Sequence, residues 1–299
     1  MKEIVVLSGK GGVGKSSLAA AIGTLLADTY QLVLADTDVD APNLHLVLGA
    51  EPYETSEIEA SEKAEIDYDQ CSRCMECLDV CQFSSIIGKD EPIIIRYSCE
   101  GCGACAIACP VDAISIQPVV NGRLNLLQSG NSCVVSGELV IGESSSGRLV
   151  DVVKKKARKE AEERGADLII TDGPPGIGCP VIASLKGADY AILVTEPTPS
   201  ALHDLQRIIE VVGHFKVPIG IVLNRSDIHE GTRKNLLKLI KKKGFELLAE
   251  IPYDPLLPSA LAEGRLAVQA YPDAPASKAI RKLSNSINDR ISSMETVVN

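Results

Sequence analysis

Eight of the ten cysteines in this 299-residue chain fall in two short runs, Cys71-x2-Cys74-x2-Cys77-x3-Cys81 and Cys99-x2-Cys102-x2-Cys105-x3-Cys109-Pro110. Thiolates are soft donors, suited to iron–sulfur clusters and zinc rather than hard cations. Far upstream stands a second chemical motif, Gly9-Lys10-Gly11-Gly12-Val13-Gly14-Lys15-Ser16, followed by Ser17. Its glycines let backbone N–H groups converge on phosphate oxygens, and the helix that follows aims its positive end at the same anion. Lys15 offers a point charge to the β- and γ-phosphates, and Ser16 offers a hydroxyl to Mg²⁺. One polypeptide therefore carries the residues for a metal-cluster chemistry and for Mg²⁺–ATP chemistry.

The C-x2-C-x2-C-x3-C-P spacing is the bacterial ferredoxin pattern, and it occurs twice. In that pattern three cysteines of a run wrap one cubane and the fourth reaches the other. Cys71, Cys74, Cys77 and Cys109 are thereby assigned to one 4Fe–4S cluster, and Cys81, Cys99, Cys102 and Cys105 to a second. Gly101 and Gly103 are expected to free backbone N–H groups for the sulfurs. The first run departs from the pattern, with Gln82 where proline is usual. Two zinc sites are the rival reading, disfavoured because zinc ribbons use paired C-x2-C knuckles. Clusters that pin the fold without redox work remain an alternative.

The elements that must position these residues alternate. Residues 3–8 form a strand, 15–28 a helix, and 31–36 a strand ending in Asp36. Residues 51–61 are acidic and poor in apolar side chains, as in a linker. After the cysteines, strands are expected at 167–172, 188–195, 218–224 and 246–251, with helices at 148–164, 200–213, 231–243 and 276–294. Near-continuous apolar strands between helices imply an α/β fold, a mostly parallel sheet covered on both faces. The expected division is 1–62 and 119–299 as one ATPase domain, interrupted by a small α+β ferredoxin-like domain at 63–118. Lys154-Lys155-Lys156 and Lys241-Lys242-Lys243 read as solvated helix faces, and the C-terminal helix as packed on the domain.

Composition narrows the setting. The formal charge is −10, from 30 basic and 40 acidic residues, which disfavours nucleic acid as a partner. No apolar run approaches the ~20 residues of a membrane span, and the N-terminus lacks a secretory pattern. The expectation is a reduced, cytoplasmic protein without stable membrane insertion.

The early lysine, Lys10, adds a distinguishing feature. The loop Lys10-Gly-Gly-Val-Gly-Lys15-Ser16 resembles the deviant Walker A loop of the MinD/ParA/nitrogenase iron protein superfamily. The resemblance implies that Lys10 reaches a partner's nucleotide across an ATP-dependent homodimer, or a heterodimer with a paralogue. Asp36-Thr-Asp38-Val-Asp40 resembles the family's first switch. It implies water activation by Asp38 and Mg²⁺ held through water by Asp36, with Asp40 ambiguous. Asp172-Gly-Pro-Pro-Gly176 resembles the second switch, with Asp172 on Mg²⁺. Asn224-Arg225 and Pro252-Tyr253 resemble the segments that read and border adenine. Cys179 follows Asp172 at the spacing of a shared-cluster cysteine in the nitrogenase iron protein. The stretch 141–150, similar to the second cluster-binding segment there, holds no cysteine. A shared interface cluster is therefore not expected, and Cys133 reads as a buried or incidental thiol.

The leading expectation is a slow, partner-stimulated ATPase that couples dimer switching to electron transfer with a redox partner protein. An iron–sulfur assembly or carrier ATPase is one alternative, and a MinD-like positioning ATPase is another.

Overall fold

A computed structural model describes residues 1–143 and 147–296. In chain order the strands are β1 Lys2–Ser8, β2 Leu32–Asp36, β3 Glu51–Ile58, β4 Ser61–Ile66, β5 Ile86–Ile87, β6 Ile93–Ile94 and β7 Ile114–Val119. They continue as β8 Gly122–Ser129, β9 Ser132–Leu139, β10 Leu168–Pro175, β11 Tyr190–Thr195, β12 Ile219–Leu223 and β13 Glu246–Glu250. Nine of them form one sheet in the order β13-β12-β11-β1-β10-β2-β9-β8-β3. The seven from β13 to β9 run parallel, and β8 and β3 add an antiparallel edge.

The central strands are apolar throughout because both faces are covered. In β1, Ile4 and Val6 face a core shared with the helices Lys15–Leu26 and Pro275–Thr296. Val5 and Leu7 face the opposite core, against the helices Pro199–His214 and Glu230–Lys243. The C-terminal helix buries Ile280, Leu283, Ile287 and Ile291, so its apolar stripe packs on the sheet as expected. Among the described residues no helix is long and apolar enough to cross a membrane.

Two expectations are corrected. The supposed linker at 51–61 is largely strand β3, paired with β8 along its length. Seven of its eight residues are exposed, so it has no apolar period to betray it. Charges and Pro52 on such an edge discourage pairing with other chains. Lys154 is not solvated either. It is 3% exposed, ion-paired to Glu3 at 2.6 Å and hydrogen-bonded to the Lys186 carbonyl.

The cysteine segment leaves the sheet after Ile58 and returns at Gly122, residues that face each other in β3 and β8. Asn121, wholly buried at this neck, accepts from the Ala60 N–H at 2.9 Å. Between them β4 pairs with β7 and β5 with β6, around a small core of its own that includes Ala64, Cys77, Ile86, Cys99, Cys105 and Ile114.

Candidate functional site: a nucleotide cradle and two cysteine cages

The phosphate loop links β1 to the helix Lys15–Leu26. Gly14 caps that helix at φ +92°, and a Cβ there would lie 2.5 Å from Asn224 Nδ2. Only glycine meets both demands. The same Asn224 amide donates to the Val13 carbonyl at 2.7 Å, tying the end of β12 to the loop. Gly14, Ser17, Asn224, Arg225, Pro252 and Tyr253 line one cleft, whose floor is the apolar Leu257, Leu266 and Val268. A mostly apolar cleft beside a phosphate loop suits a nucleobase.

The carboxylates gather on the other side of Lys15. Asp36 and Asp172 are directly paired in register at the ends of β2 and β10. Lys15 Nζ lies 2.8 Å from Asp172 and 3.7 Å from Asp38, with the Ser16 hydroxyl at 3.3 Å. Asp36 accepts from the N–H groups of Leu44 at 2.9 Å and Asn43 at 3.0 Å, which fixes the start of the segment after the first switch. Thr37 donates from both its N–H and its hydroxyl to the Asp172 carbonyl, clipping the two strand ends together.

Burial sets the protonation of this cluster. Burial pushes the Asp36 carboxyl up to about 8, and the Asp172 charge beside it adds to the rise. Burial likewise raises Asp38, to about 6, and raises Asp172 while Lys15 opposes it. Asp172 Oδ2 is buried without a hydrogen-bond partner. Burial thus favours protonated carboxyls here, and a divalent cation among the three would favour their ionised forms. The residues present thus fit Mg²⁺, which Ser16, Asp36 and Asp172 would hold.

Lys10 is held elsewhere. Its ammonium lies 2.9 Å from Glu196 and 3.4 Å from the Ser200 hydroxyl. Glu196 also binds Arg225 at 3.0 Å, so one carboxylate grips a loop lysine and a residue of the base cleft. Sequence reasoning missed Glu196; its place straight after the apolar strand β11 was the available signal.

The cysteines divide into two fours. Cys71, Cys74, Cys77 and Cys109 line one cavity, and Cys81, Cys99, Cys102 and Cys105 line another. The two runs are offset by 28 residues, Cys71 to Cys99, and the backbone repeats with them. Positive φ recurs at matched positions: Arg73 +57° and Gly101 +61°, Met75 +65° and Gly103 +79°, Ser84 +52° and Asp112 +51°. Non-glycine residues rarely adopt this region, and such strain gathers at sites that bind. The Ser85 N–H donates to Cys81 Sγ at 3.3 Å and its equivalent, Ala113, to Cys109 Sγ at 3.2 Å. The Ala64 N–H donates to Cys99 Sγ at 3.4 Å. Burial alone would raise the Cys81 thiol, but the N–H groups of Ser85, Phe83 and Ile86 together bring it below its ordinary value. Gly101 and Gly103 are not among these sulfur donors. Gly101 is required because a Cβ there would sit 2.2 Å from the Glu62 carbonyl oxygen. Among the described residues no group of His, Cys, Asp or Glu closes on a single metal ion.

Cys133 is buried, as expected, and touches the Tyr53 hydroxyl at 3.6 Å. Cys179 is exposed at the start of the helix Cys179–Leu185, which follows the Asp172–Gly176 segment. Of the stretch 141–150, residues 144–146 lie outside the described residues.

Comparison with known proteins decides the family. A model of the CobQ/CobB/MinD/ParA nucleotide binding domain matches residues 4–268. The chain belongs to the CobQ/CobB/MinD/ParA family. As a member it is a P-loop ATPase of the MinD/ParA type, and its parallel sheet agrees with that fold. The septum site-determining protein MinD of Pyrococcus horikoshii, solved with Mg-ADP, superposes with a TM-score of 0.60 at 22% identity, covering 96% of this chain and 95% of that one. The uncharacterized protein MJ0578 of Methanocaldococcus jannaschii is 36% identical over 262 residues, 87% of each chain. The iron-sulfur cluster carrier protein of Pyrococcus abyssi is 25% identical over 306 residues, 98% of this chain and 88% of that protein.

Proposed function

We propose that this MinD/ParA-family ATPase holds two 4Fe–4S clusters in a ferredoxin-like domain at 63–118 and couples ATP hydrolysis to electron transfer. The observation that carries the reading is the sorting of eight cysteines into two four-membered cages, each within reach of backbone N–H groups aimed at sulfur. Four thiolates around a cavity fit a multi-iron cage better than a single ion. A cluster in each cage supplies one-electron carriage between an external low-potential donor protein and an acceptor protein.

The chain's own residues supply the rest. The Gly9–Ser17 loop and the end of its helix bind the triphosphate, and Lys15 leaves Asp172 for the β/γ-phosphates. Asp172 and Ser16, freed from Lys15, would then hold Mg²⁺ together with Asp36. Asp38 orients a water for attack on the γ-phosphorus, giving ADP and phosphate. Asn224, Arg225 and Pro252 seat the base. Lys10 leaves Glu196 and reaches the nucleotide of a second copy, or of a paralogue, so the ATP-bound form is a dimer. Each step moves segments that begin at Asp36 and Asp172. The test is anaerobic purification with iron, sulfide and zinc counts, together with ATPase assays of wild type and Lys15→Ala. About eight irons per chain and loss of hydrolysis in the variant are expected; zinc, or no metal, overturns the reading.

A carrier function is a second reading, favoured by the name of the Pyrococcus abyssi relative and by exposed Cys179. Transfer of iron and sulfide to an apo-acceptor, with loss from this protein, would select it. Two complete cages favour retention of the clusters instead.

A further inference from the structure

One lysine in the cysteine segment has no part in either site as described above. Lys63, on β4, is 1% exposed. Its ammonium donates to the Cys99 carbonyl at 2.9 Å and lies 3.1 Å from Glu143 Oε2, itself on a buried side chain. Its neighbours on β4 also touch the second cage: the Ala64 N–H donates to Cys99 Sγ, and Glu62 packs on Gly101. A buried ammonium this close to a cluster ligand acts on that cage with little solvent screening.

Glu143 belongs to the other half of the molecule. It lies in the turn after β9, where its N–H donates to the Val140 carbonyl. On the far side of residues 144–146 begins the helix Gly147–Arg164. Gly147 packs against the start of the helix Cys179–Leu185, where a Cβ would lie 3.3 Å from the Cys179 carbonyl oxygen. That second helix is entered directly from Asp172 and the second switch. Arg148 adds a solvent-exposed pair to Glu62 at 3.2 Å. The buried contact between the turn after β9 and the strand beside the second cage is the Lys63–Glu143 ion pair.

We propose that the Lys63–Glu143 pair sets the reduction potential of the centre held by Cys81, Cys99, Cys102 and Cys105, and that switch movement alters that potential by moving Glu143. The inference rests on the cluster reading above. Reduction adds one electron to the cluster, so it is favoured by nearby positive charge and opposed by nearby negative charge. With Glu143 close, the ammonium is largely neutralised. Withdrawal of Glu143 leaves the ammonium uncompensated, and the potential rises. Lys63 is thus a positioning residue with an electrostatic output.

The test is an anaerobic potentiometric titration followed by electron paramagnetic resonance, on the full chain with and without Mg-ATP. Dithionite serves as reductant, and iron and sulfide are counted on each sample. Glu143→Gln, which keeps the size, is expected to favour the reduced second centre at least ~10-fold, about 59 mV for one electron, and to lose the response to Mg-ATP. Lys63→Met is expected to shift the same centre the opposite way. Opposite signs are what a purely structural role would not produce. Arg148→Gln, which breaks only the exposed pair, is expected to leave the potential unchanged. A Glu143→Gln protein with wild-type potential and wild-type ATP response overturns the proposal, even if Lys63→Met fails to fold. Wild-type protein without iron overturns the cluster reading itself, and the iron count separates that failure from the first.

Discussion

Asp36 and Asp172 stand side by side in register at the ends of adjacent parallel strands, with the Lys15 ammonium 2.8 Å from Asp172. This pairing makes the cradle responsive to what enters it. Two buried carboxylates repel one another, and one lysine cannot satisfy both. Under the proposed function, Lys15 would turn to the triphosphate and the carboxylates to Mg²⁺, which would relieve the conflict.

The same conflict predicts a pH dependence of stability. Asp36 and Asp38 are raised to about 8 and about 6, from an ordinary 3.8. Between those limits the folded chain holds more protons than the unfolded chain. Stability from these groups is therefore complete below the unfolded value and is lost as pH rises through the folded values. In Mg²⁺-free buffer the melting temperature is expected to fall between about pH 5 and pH 8, and Mg-ATP is expected to reverse the loss. Scanning calorimetry across that range checks it; a flat or rising profile would count against this protonation scheme.

Asn224→Ala removes the bond to Val13 and opens space beside Gly14. A buried carbonyl left without its donor costs about 1–3 kcal/mol. Nucleotide affinity is expected to fall about tenfold, or 1.4 kcal/mol, as measured by calorimetric titration with ADP. Unchanged affinity would remove Asn224 from the base site.

Lys10 and Glu196 predict a release step. Glu196→Gln frees Lys10 without shortening either side chain. The half-exposed ion pair is worth roughly 0.2–1 kcal/mol, so ATP-dependent dimer formation is expected to strengthen by up to about fivefold in sedimentation velocity. Lys10→Ala is expected to abolish the ATP-dependent dimer while still binding nucleotide. A Lys10→Ala protein that dimerises normally rules out action in trans.

Gly101→Ala tests the second cage. Its left-handed backbone costs an alanine about 1–2 kcal/mol, and the new methyl would meet the Glu62 carbonyl. Iron is expected to fall by about half, with the first centre's resonance signal retained. Full iron content would show that β4 can yield without disturbing the cage.

Much of this was legible in the sequence. The phosphate loop, the strand-end carboxylates and the two cysteine runs depend on local spacing, which folding preserves. The ferredoxin pattern groups Cys109 with the first run and Cys81 with the second, and the two cavities are lined in those groups. What escaped depends on tertiary partners. β3 reads as a linker because its exposed residues carry no apolar alternation; only pairing with β8 makes it a strand. Lys154 looks solvated until Glu3 is brought to it from β1. Lys63 lies in an acidic stretch that hides its burial, and Glu196 matters only because Lys10 and Arg225 converge on it.

The central claim is that nucleotide in the cradle governs electron flow at the cysteine cages. The most direct measurement is anaerobic stopped-flow transfer of electrons from the dithionite-reduced protein to a soluble acceptor. It is made with Mg-ATP, with Mg-ADP, and with a Lys15→Ala variant. The account predicts at least a tenfold difference between Mg-ATP and Mg-ADP, abolished by the variant; equal rates under all three conditions would contradict it.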